Sequence, residues 1–363
     1  MSRIPYRPEE LTVVGTHINP TEPVRPAPMP RYNTPITPKE NLRRALNRDG
    51  TALWFPTATD YVFVQSRTNV DHIARAEIRD LGPVQPLEEK GGPDLFGIQW
   101  VFVPTAGGSM VEPGKPVLDD ANDWPEIIKF PDVDALDWEG CKINAPFNES
   151  VRGLGITFQN GIFERLISFM DFENAAVAIV DEDQQEAVHA LFAKLCEMYE
   201  AMIEKYREIL NLDGIMFHDD WGSQRAPFFS LDVCREMVAP YLKRIADFCH
   251  ARGMWFNMHS CGKNELVVPA MVESGVDMWM PQPMNDADML VQTYGEHIAF
   301  GVTPPPVAED ATDEEVEAAA AAFVAKYAPD FDRKPIIVNT RFAPQRYVDA
   351  IYRQSRIALC GEA

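Results

Sequence analysis

The second half of the chain alternates short apolar runs with longer segments in which apolar residues recur at helical spacing. The apolar runs predict buried strands at residues 153–158, 214–217, 254–259, 276–280, 298–302 and 336–338. Helices are predicted over residues 184–210, after Ser230, over residues 266–271, after Thr312 and at the C-terminus. Strands that alternate with helices in this way favour parallel β-α units with right-handed connections.

The first half of the chain is less regular. Residues 1–36 are rich in proline and show no period, which predicts an extended arm rather than a domain. Thr37 and Glu40 form a capping box that predicts a helix through Leu46. The apolar run at residues 52–55 predicts the first strand, and the sequence beyond it is rich in loops.

These patterns favour one barrel over a nucleotide-binding sheet. No glycine-rich phosphate-binding fingerprint follows any predicted strand. A barrel of strands and helices accommodates 363 residues as one unit. We therefore expect an α/β fold, a single (β/α)8 TIM-type barrel over residues 37–363, preceded by an irregular, proline-rich N-terminal arm over residues 1–36.

Composition narrows the range of partners. The formal net charge is −22, from 33 Lys+Arg and 55 Asp+Glu, so nucleic acid and anionic membranes are not expected to bind. The acidity serves solubility, or it docks a basic region of a partner protein. No apolar run approaches the roughly 20 residues that span a bilayer, and the N-terminus lacks the apolar core of a signal peptide. We expect a cytoplasmic protein whose six scattered cysteines are free thiols.

Candidate chemistry follows the strands, because catalytic groups of a parallel barrel lie where strands end and loops begin. Polar residues collect at these positions. They are His218, Asp219, Asp220, Asn257, His259, Cys261, Gln282, Asn339 and Arg341.

His259 and Cys261 are two residues apart at the end of a predicted strand, so their side chains leave on the same face. Imidazole and thiolate are common zinc ligands, and a catalytic zinc needs about three protein groups and one open position. Asp219 or Asp220, from the neighbouring strand, could complete the set. The spacing alone leaves another interpretation open, in which His259 hydrogen-bonds within the barrel and Cys261 is a buried small residue.

The segment at residues 258–263, Met-His-Ser-Cys-Gly-Lys, resembles the His-x-Cys-Gly segment of methyltransferases in the uroporphyrinogen-decarboxylase superfamily. Further short blocks are similar to family positions, and together they span about residues 37 to 358. These blocks lie at residues 94–97, 163–164, 218–222, 224–225 and 240–245. The resemblance implies a TIM-type barrel.

Two departures from the family pattern bear on the activity. Uroporphyrinogen decarboxylases grip the porphyrin carboxylates with an N-terminal segment that contains arginine, and residues 52–61 contain none. The zinc methyltransferases usually carry a further cysteine on the last strand, where residues 336–341 read Ile-Ile-Val-Asn-Thr-Arg. We therefore expect methyl transfer rather than porphyrin decarboxylation, with an oxygen ligand from Asp219, Asp220 or Glu236 in place of that cysteine.

Within the superfamily, the chain is most similar to the aryl-methyl-ether demethylating methyltransferases of anaerobes. This resemblance implies transfer of a methyl group from a methoxylated aromatic compound to cob(I)alamin, with zinc as Lewis acid on the ether oxygen. It also implies that a separate small corrinoid protein carries the cobalamin, because the corrinoid-binding motif Asp-x-His-x-x-Gly is absent here.

The resemblance suggests a role for each candidate residue. His259 and Cys261 would hold zinc, with Glu236 as a further candidate ligand. The predicted catalytic residues are His218, Asp219, Asp220 and Asn257, the last as a residue that orients the ligands. The predicted substrate contacts are Trp221, Gln224, Arg225, Gln282, Asn339 and Arg341.

Several alternatives stay open. Trp221, Phe228 and Phe229 could form an aromatic substrate surface, or they could anchor the loop against the barrel. The protein could also be a metal-free decarboxylase or lyase of the same superfamily that acts on a small carboxylate. His218, Asp219 and Arg225 would then supply the acid-base and anchoring groups. A further alternative is a scaffold that binds a methyl compound or a corrinoid without turnover.

Overall fold

The N-terminal region forms a two-stranded ribbon followed by a helix. The computed structural model describes residues 3–21, 28–105 and 107–363, so residues 1–2 and 22–27 of the predicted arm lie outside the described residues. β1 (Val13–Thr16) pairs antiparallel with β2 (Pro30–Tyr32), and α1 (Pro38–Asn47) follows. The Thr37 hydroxyl accepts a hydrogen bond from the Glu40 backbone N–H at 3.1 Å, as the capping pattern predicts.

A loop-rich region separates α1 from the regular half of the chain. It begins with β3 (Tyr61–Val64) and α2 (Val70–Ala74). A small antiparallel sheet comes next, made of β4 (Gly92–Pro93), β5 (Gln99–Val103) and β6 (Gly108–Val111). Two single-turn helices, α3 (Trp124–Ile127) and α4 (Trp138–Cys141), complete the region.

The second half alternates strands and helices. In chain order these are β7 (Gly153–Phe158), α5 (Ile162–Ala178), α6 (Gln185–Ile209), β8 (Gly214–His218), α7 (Leu231–Val233), α8 (Ala239–His250), β9 (Trp255–His259), α9 (Val268–Glu273), β10 (Met278–Trp279), α10 (Ala287–Tyr294), β11 (Ala299–Val302), α11 (Asp313–Tyr327), β12 (Ile336–Val338) and α12 (Gln345–Cys360). A π-helical turn, Cys234–Val238, joins α7 to α8. The predicted strands and helices of this half are confirmed to within a residue or two at each end.

Seven strands of the described chain form one parallel sheet in the order β12-β11-β10-β9-β8-β7-β3. The segment just before β3 attaches to the other edge. The Val338 N–H donates to the Pro56 carbonyl at 2.7 Å, and the Ala58 N–H donates to the Val338 carbonyl at 2.9 Å. Because the same length of chain pairs with both edges of the sheet, the sheet curls into a TIM-type barrel, and the predicted fold class is confirmed.

The predicted first strand at residues 52–55 is wrong, because β3 begins only at Tyr61. The segment is buried, but a helix side chain binds its backbone. The Asn41 side chain accepts from the Leu53 N–H at 2.7 Å and donates to the Trp54 carbonyl at 3.0 Å. A turn at residues 57–60 then joins Thr57, which pairs with Val338 of β12, to β3, which pairs with β7.

One end of the barrel is closed and the other carries loops. Leu42 of α1 packs against the apolar side chains at the starts of the strands, among them Trp255, Met278 and Ile337. The Trp255 indole fills the interior so closely that a Cβ on Gly214 would lie 2.1 Å from it. The carboxyl-terminal ends of the strands, here called the barrel mouth, are therefore the end that can receive a substrate.

The cysteines and the helices agree with two further expectations. All six cysteines are free thiols. Within the described ranges, none of the helices is both long enough and apolar enough to cross a membrane.

A buried ionic group fixes the start of α5. The Arg165 guanidinium contacts the Asp94 carboxylate at 2.7 Å and also pairs with Asp71, and all three side chains are almost completely buried. The guanidinium also lies over the Phe96 ring, 4.7 Å from its centroid. Because Asp71 belongs to α2 and Asp94 follows β4, this group joins three separate segments beside the barrel mouth.

We predict that Arg165→Met lowers the free energy of unfolding by about 3–5 kcal/mol, because it leaves two buried carboxylates without a counter-charge. Equilibrium denaturation measures the change. Lys142→Met is the matched control, since Lys142 pairs with Glu139 on the surface, and it should cost no more than about 1 kcal/mol. Equal effects of the two substitutions would contradict this account of Arg165.

Candidate metal centre

Two histidines stand side by side at the barrel mouth. His218 ends β8, His259 ends β9, and the two residues are paired in register. Their side chains point into the barrel, because they share a strand face with Gly214 and Trp255, respectively. The imidazole rings stack with centroids 4.4 Å apart and planes 19° from parallel.

Asp220 brings a carboxylate to the same place. Ligand atoms of His218, Asp220 and His259 all lie within 4.8 Å of one another. The Asp220 carboxylate accepts a hydrogen bond from the Cys261 backbone N–H at 2.6 Å, which turns it toward the end of β9. Two imidazoles and a carboxylate at this spacing can hold a divalent metal ion.

The Cys261 thiol lies beside this group. Its Sγ is 3.4 Å from His259 Nε2, and Gln282 Nε2 donates to it at 3.2 Å. Burial and the Asp220 carboxylate raise the pKa of the Cys261 thiol to about 12. Gly262 allows the chain to turn here, since its φ is +94° and a Cβ would lie 2.2 Å from the Gly222 carbonyl oxygen.

A charged chain behind His218 fixes its orientation. His218 Nδ1 is 2.6 Å from a Glu164 carboxylate oxygen, and the other oxygen accepts from the Arg75 guanidinium at 3.0 Å. Arg75 also donates to the Asn160 side chain at 2.7 Å. Because Nδ1 is engaged, the Nε2 atom of His218 is the one available at the mouth. A carboxylate on the far nitrogen is the usual partner of a metal-binding histidine.

The same arrangement sets the charges of the two histidines. Burial lowers the pKa of His218, but the Glu164 carboxylate outweighs it and the pKa is raised. Burial also raises the pKa of Glu164, yet the charges of His218 and Arg75 lower it overall. Burial and the charge of His218 lower the pKa of His259 to about 3, so this imidazole is neutral and its nitrogen can act as a ligand.

Asp219 points the opposite way from its two neighbours in sequence. Its carboxylate accepts from the Glu164 backbone N–H at 2.9 Å and from Trp221 Nε1 at 2.8 Å. Burial raises the pKa of Asp219 to about 7. It therefore binds the first turn of α5, where backbone N–H groups lack helical partners, and is not turned toward the histidines.

The structure places three further predicted residues near this group. Asn257 lies on β9 one layer below His259, with its side chain in the barrel interior. Gln282 contacts both Cys261 and Gly262. Its Nε2 donates to the Cys261 thiol, and its Oε1 accepts from the Gly262 N–H at 2.8 Å. Trp221 is 0% exposed and lies edge-on to Phe229, an arrangement that anchors the loop beneath the surface.

The remaining predicted residues lie on loops or turns and are not among the three candidate metal ligands. Gln224 and Arg225 are exposed on the loop after β8. Arg341 is exposed after β12, where the Asn339 side chain donates to a neighbouring threonine. Glu236 is exposed on the π-helical turn outside the barrel, so the structure does not bring it to His259 and Cys261.

Sequence reasoning missed the residues behind His218. Glu164 had an available signal, since it follows β7 closely and belongs to the block at residues 163–164 that is similar to family positions. Arg75 had none, because it lies in the loop-rich first half at the end of α2.

The fold and the site together define a parallel α/β barrel with a candidate metal centre at its mouth. The family model for uroporphyrinogen decarboxylase (URO-D) matches residues 156–340, just over half of the chain. The chain therefore belongs to the uroporphyrinogen decarboxylase (URO-D) family. A search of curated proteins found no match to this sequence.

Solved structures include matches to this chain. A methyltransferase from Methanosarcina mazei is 15% identical, and the match covers 87% of this chain and 97% of that chain with a TM-score of 0.53. A sugar phosphate isomerase/epimerase from Parabacteroides distasonis is 11% identical over 63% of this chain and 80% of that chain, with a TM-score of 0.32. The first match confirms the fold.

We predict that Asp219→Ala lowers the free energy of unfolding of the chelator-treated protein by about 2–4 kcal/mol. The Glu164 N–H and Trp221 Nε1 would lose their acceptor inside the protein. Asp220→Asn is the matched control and should change stability by less than about 1 kcal/mol, since an amide oxygen can still accept from Cys261. Chemical denaturation followed by circular dichroism measures both. A larger loss of stability in Asp220→Asn than in Asp219→Ala would contradict the assignment of Asp219 as the residue that anchors α5.

Proposed function

We propose that this protein is a zinc-dependent methyltransferase that moves a methyl group from a methoxylated aromatic compound to cob(I)alamin. The cobalamin would be carried by a separate small corrinoid protein, so the reaction is an O-demethylation. The observation that carries the proposal is the convergence of His218, Asp220 and His259 within 4.8 Å, with the Cys261 thiol beside them. Membership of the URO-D family and a fold shared with a methyltransferase support it.

The donor set fits zinc. Zinc takes imidazole nitrogens, thiolate sulfur and carboxylate oxygen as ligands, and the group offers all three types in His218 Nε2, His259 Nε2, Cys261 and Asp220. Asp220 would supply the oxygen ligand that the sequence predicts in place of a last-strand cysteine. When bound, zinc would act as a Lewis acid toward the ether oxygen, where negative charge develops as the methyl group leaves.

The protein's own residues prepare the site. Glu164 and Arg75 hold His218 with Nε2 toward the mouth, and Gln282 holds the Cys261 loop by its thiol and by the Gly262 N–H. These contacts set the ligand positions in advance, so that little reorganisation is needed when a substrate binds.

The loops around the mouth would receive the substrate and the corrinoid protein. Phe228 is half-buried and contacts Phe172 at 4.8 Å between centroids, which offers an aromatic surface near the end of β8. Gln224, Arg225 and Arg341 are exposed on the same face of the barrel and can contact either partner. We assign the substrate to the mouth itself, because the carboxyl-terminal ends of barrel strands carry the reacting groups.

We predict that the purified protein contains about one zinc per chain and that His259→Ala and Cys261→Ala each lose it. Elemental analysis measures the metal. On the same preparations, formation of methylcobalamin from cob(I)alamin and a methoxyarene measures methyl transfer, which should fall with the metal. Cys360→Ala is the control, because Cys360 lies at the end of α12 and should keep both properties.

The outcomes separate the two candidate reactions. A wild-type protein that takes up no zinc when zinc is supplied would overturn the proposal. Decarboxylation of a small carboxylate without corrinoid, by the metal-free protein, would establish the lyase instead.

We predict that Glu164→Gln weakens zinc binding by about 10- to 100-fold, because His218 loses the carboxylate that orients its ring. Competition with a coloured chelator measures the affinity. Glu173→Gln is the matched control, since Glu173 is exposed on α5 beyond the kink at Asp171 and should leave the affinity unchanged. Equal zinc affinities of the two variants would show that Glu164 does not orient a zinc ligand.

A further inference from the structure

A buried amide lies beside the metal-binding group, on the side away from His259. β7 pairs with β8 so that Phe158 is opposite Phe217, which places Gln159 beside His218 in the next position. Gly153, on the same face of β7, approaches Trp255 in the interior, so the Gln159 side chain also points inward. Gln159, His218 and His259 therefore form one row across three neighbouring strands at the mouth.

Glu77 determines which way this amide faces. One Glu77 carboxylate oxygen accepts from Gln159 Nε2 at 2.6 Å and from Gln65 Nε2 at 3.1 Å. A carboxylate can only accept, so the nitrogen of each amide must face Glu77 and each carbonyl oxygen must face away from it. The Gln159 carbonyl oxygen is thereby fixed as an acceptor on the side away from Glu77.

That acceptor has no partner within the protein. Gln159 is 1% exposed, and its Oε1 atom makes no hydrogen bond among the described residues. The hydroxyl of Thr157, two residues earlier on the same strand face, is also buried and unpaired within that part of the chain. Buried polar atoms in folded proteins nearly always have a partner, so two of them beside a reactive centre point to a bound group that supplies one.

A single loop connects this acceptor to the metal-binding group. Arg75 binds Glu164, which orients His218, and Glu77 binds Gln159. The residue between them, Ala76, has a φ of +61°, a left-handed conformation that non-glycine residues adopt rarely. The loop thus sets the position of one metal-binding histidine and the polarity of the neighbouring amide together.

We propose that the Gln159 carbonyl oxygen receives a hydrogen-bond donor of the substrate, a hydroxyl or an ammonium group adjacent to the transferred methyl. Glu77 is the positioning residue that keeps this oxygen turned toward the substrate. The inference rests on the proposed function in placing the methyl donor at the barrel mouth. A substrate carboxylate does not fit this position, since neither a carboxylate nor the Gln159 carbonyl oxygen can donate a hydrogen bond to the other.

Calorimetric titration of the zinc-loaded protein tests the inference with four methoxybenzenes that differ at the ortho position. The probes are 2-methoxyphenol, 2-methoxybenzylammonium, 1,2-dimethoxybenzene and 2-methoxybenzoate. We expect the hydroxyl or the ammonium probe to bind at least about tenfold more tightly than 1,2-dimethoxybenzene, which has no donor, and 2-methoxybenzoate to bind most weakly. Which of the two donors binds more tightly identifies the group.

Three variants assign the preference to these side chains. Gln159→Leu removes the acceptor, and Glu77→Gln frees both amides to turn. Each should reduce the ratio of affinities for donor and dimethoxy probes to about one, while binding of 1,2-dimethoxybenzene is retained. Glu88→Gln, an exposed residue outside the site, should keep the wild-type ratio. A variant that merely loosens the fold would weaken all probes alike and leave the ratio intact.

The results distinguish this inference from the proposed reaction. A wild-type protein without the donor preference, tighter binding of the carboxylate probe, or an unchanged ratio in Gln159→Leu would overturn the inference. No binding by any probe would overturn it as well. If the same preparation transfers methyl groups but shows no preference for donor probes, the role of Gln159 is wrong and the proposed reaction stands. If the protein prefers donor probes but transfers no methyl group, the proposed reaction is wrong and the role of Gln159 stands.

Discussion

The contact between Asp219 and the first turn of α5 is the constraint on which the site depends. Asp219 stands between His218 and Asp220, and its carboxylate binds the Glu164 backbone N–H in the protein interior. The helix that carries Glu164 is therefore attached to the strand that carries His218. Because alternate residues leave a strand on opposite sides, one short sequence can supply both candidate metal ligands and the anchor for the helix behind them.

Buried charged side chains beside the barrel mouth are also placed in pairs. The chain carries a net charge of −22, yet two arginines beside the mouth are each placed between acidic groups. Arg165 pairs with Asp71 and Asp94, and Arg75 pairs with Glu164 near Glu77. A buried carboxylate without such a partner would take up a proton and lose its orienting role. The arginines supply these buried carboxylates with a counter-charge that water cannot supply in the interior.

The sequence predicts those parts of the molecule that depend on local periodicity. The regular second half, and with it His218, Asp220, His259 and Cys261 at strand ends, follows from the alternation of apolar runs and helices. The strand predicted at residues 52–55 fails because Asn41, from a helix earlier in the chain, takes up its backbone hydrogen bonds. Glu236 and Trp221 could not be placed, since helix facing and burial depend on tertiary packing. Arg75 reaches the site from an irregular loop.

The stacked pair of His218 and His259 has a consequence for how such a protein can diversify. Their separation is set by the pairing of β8 with β9, since neighbouring strands lie about 4.8 Å apart. Backbone hydrogen bonds, which no side-chain replacement other than proline removes, therefore hold the spacing of the two residues. Loops above them can lengthen, shorten or change composition over generations without altering that spacing. Loop changes can thus alter the substrate preference during evolution, while the spacing of His218 and His259 is kept.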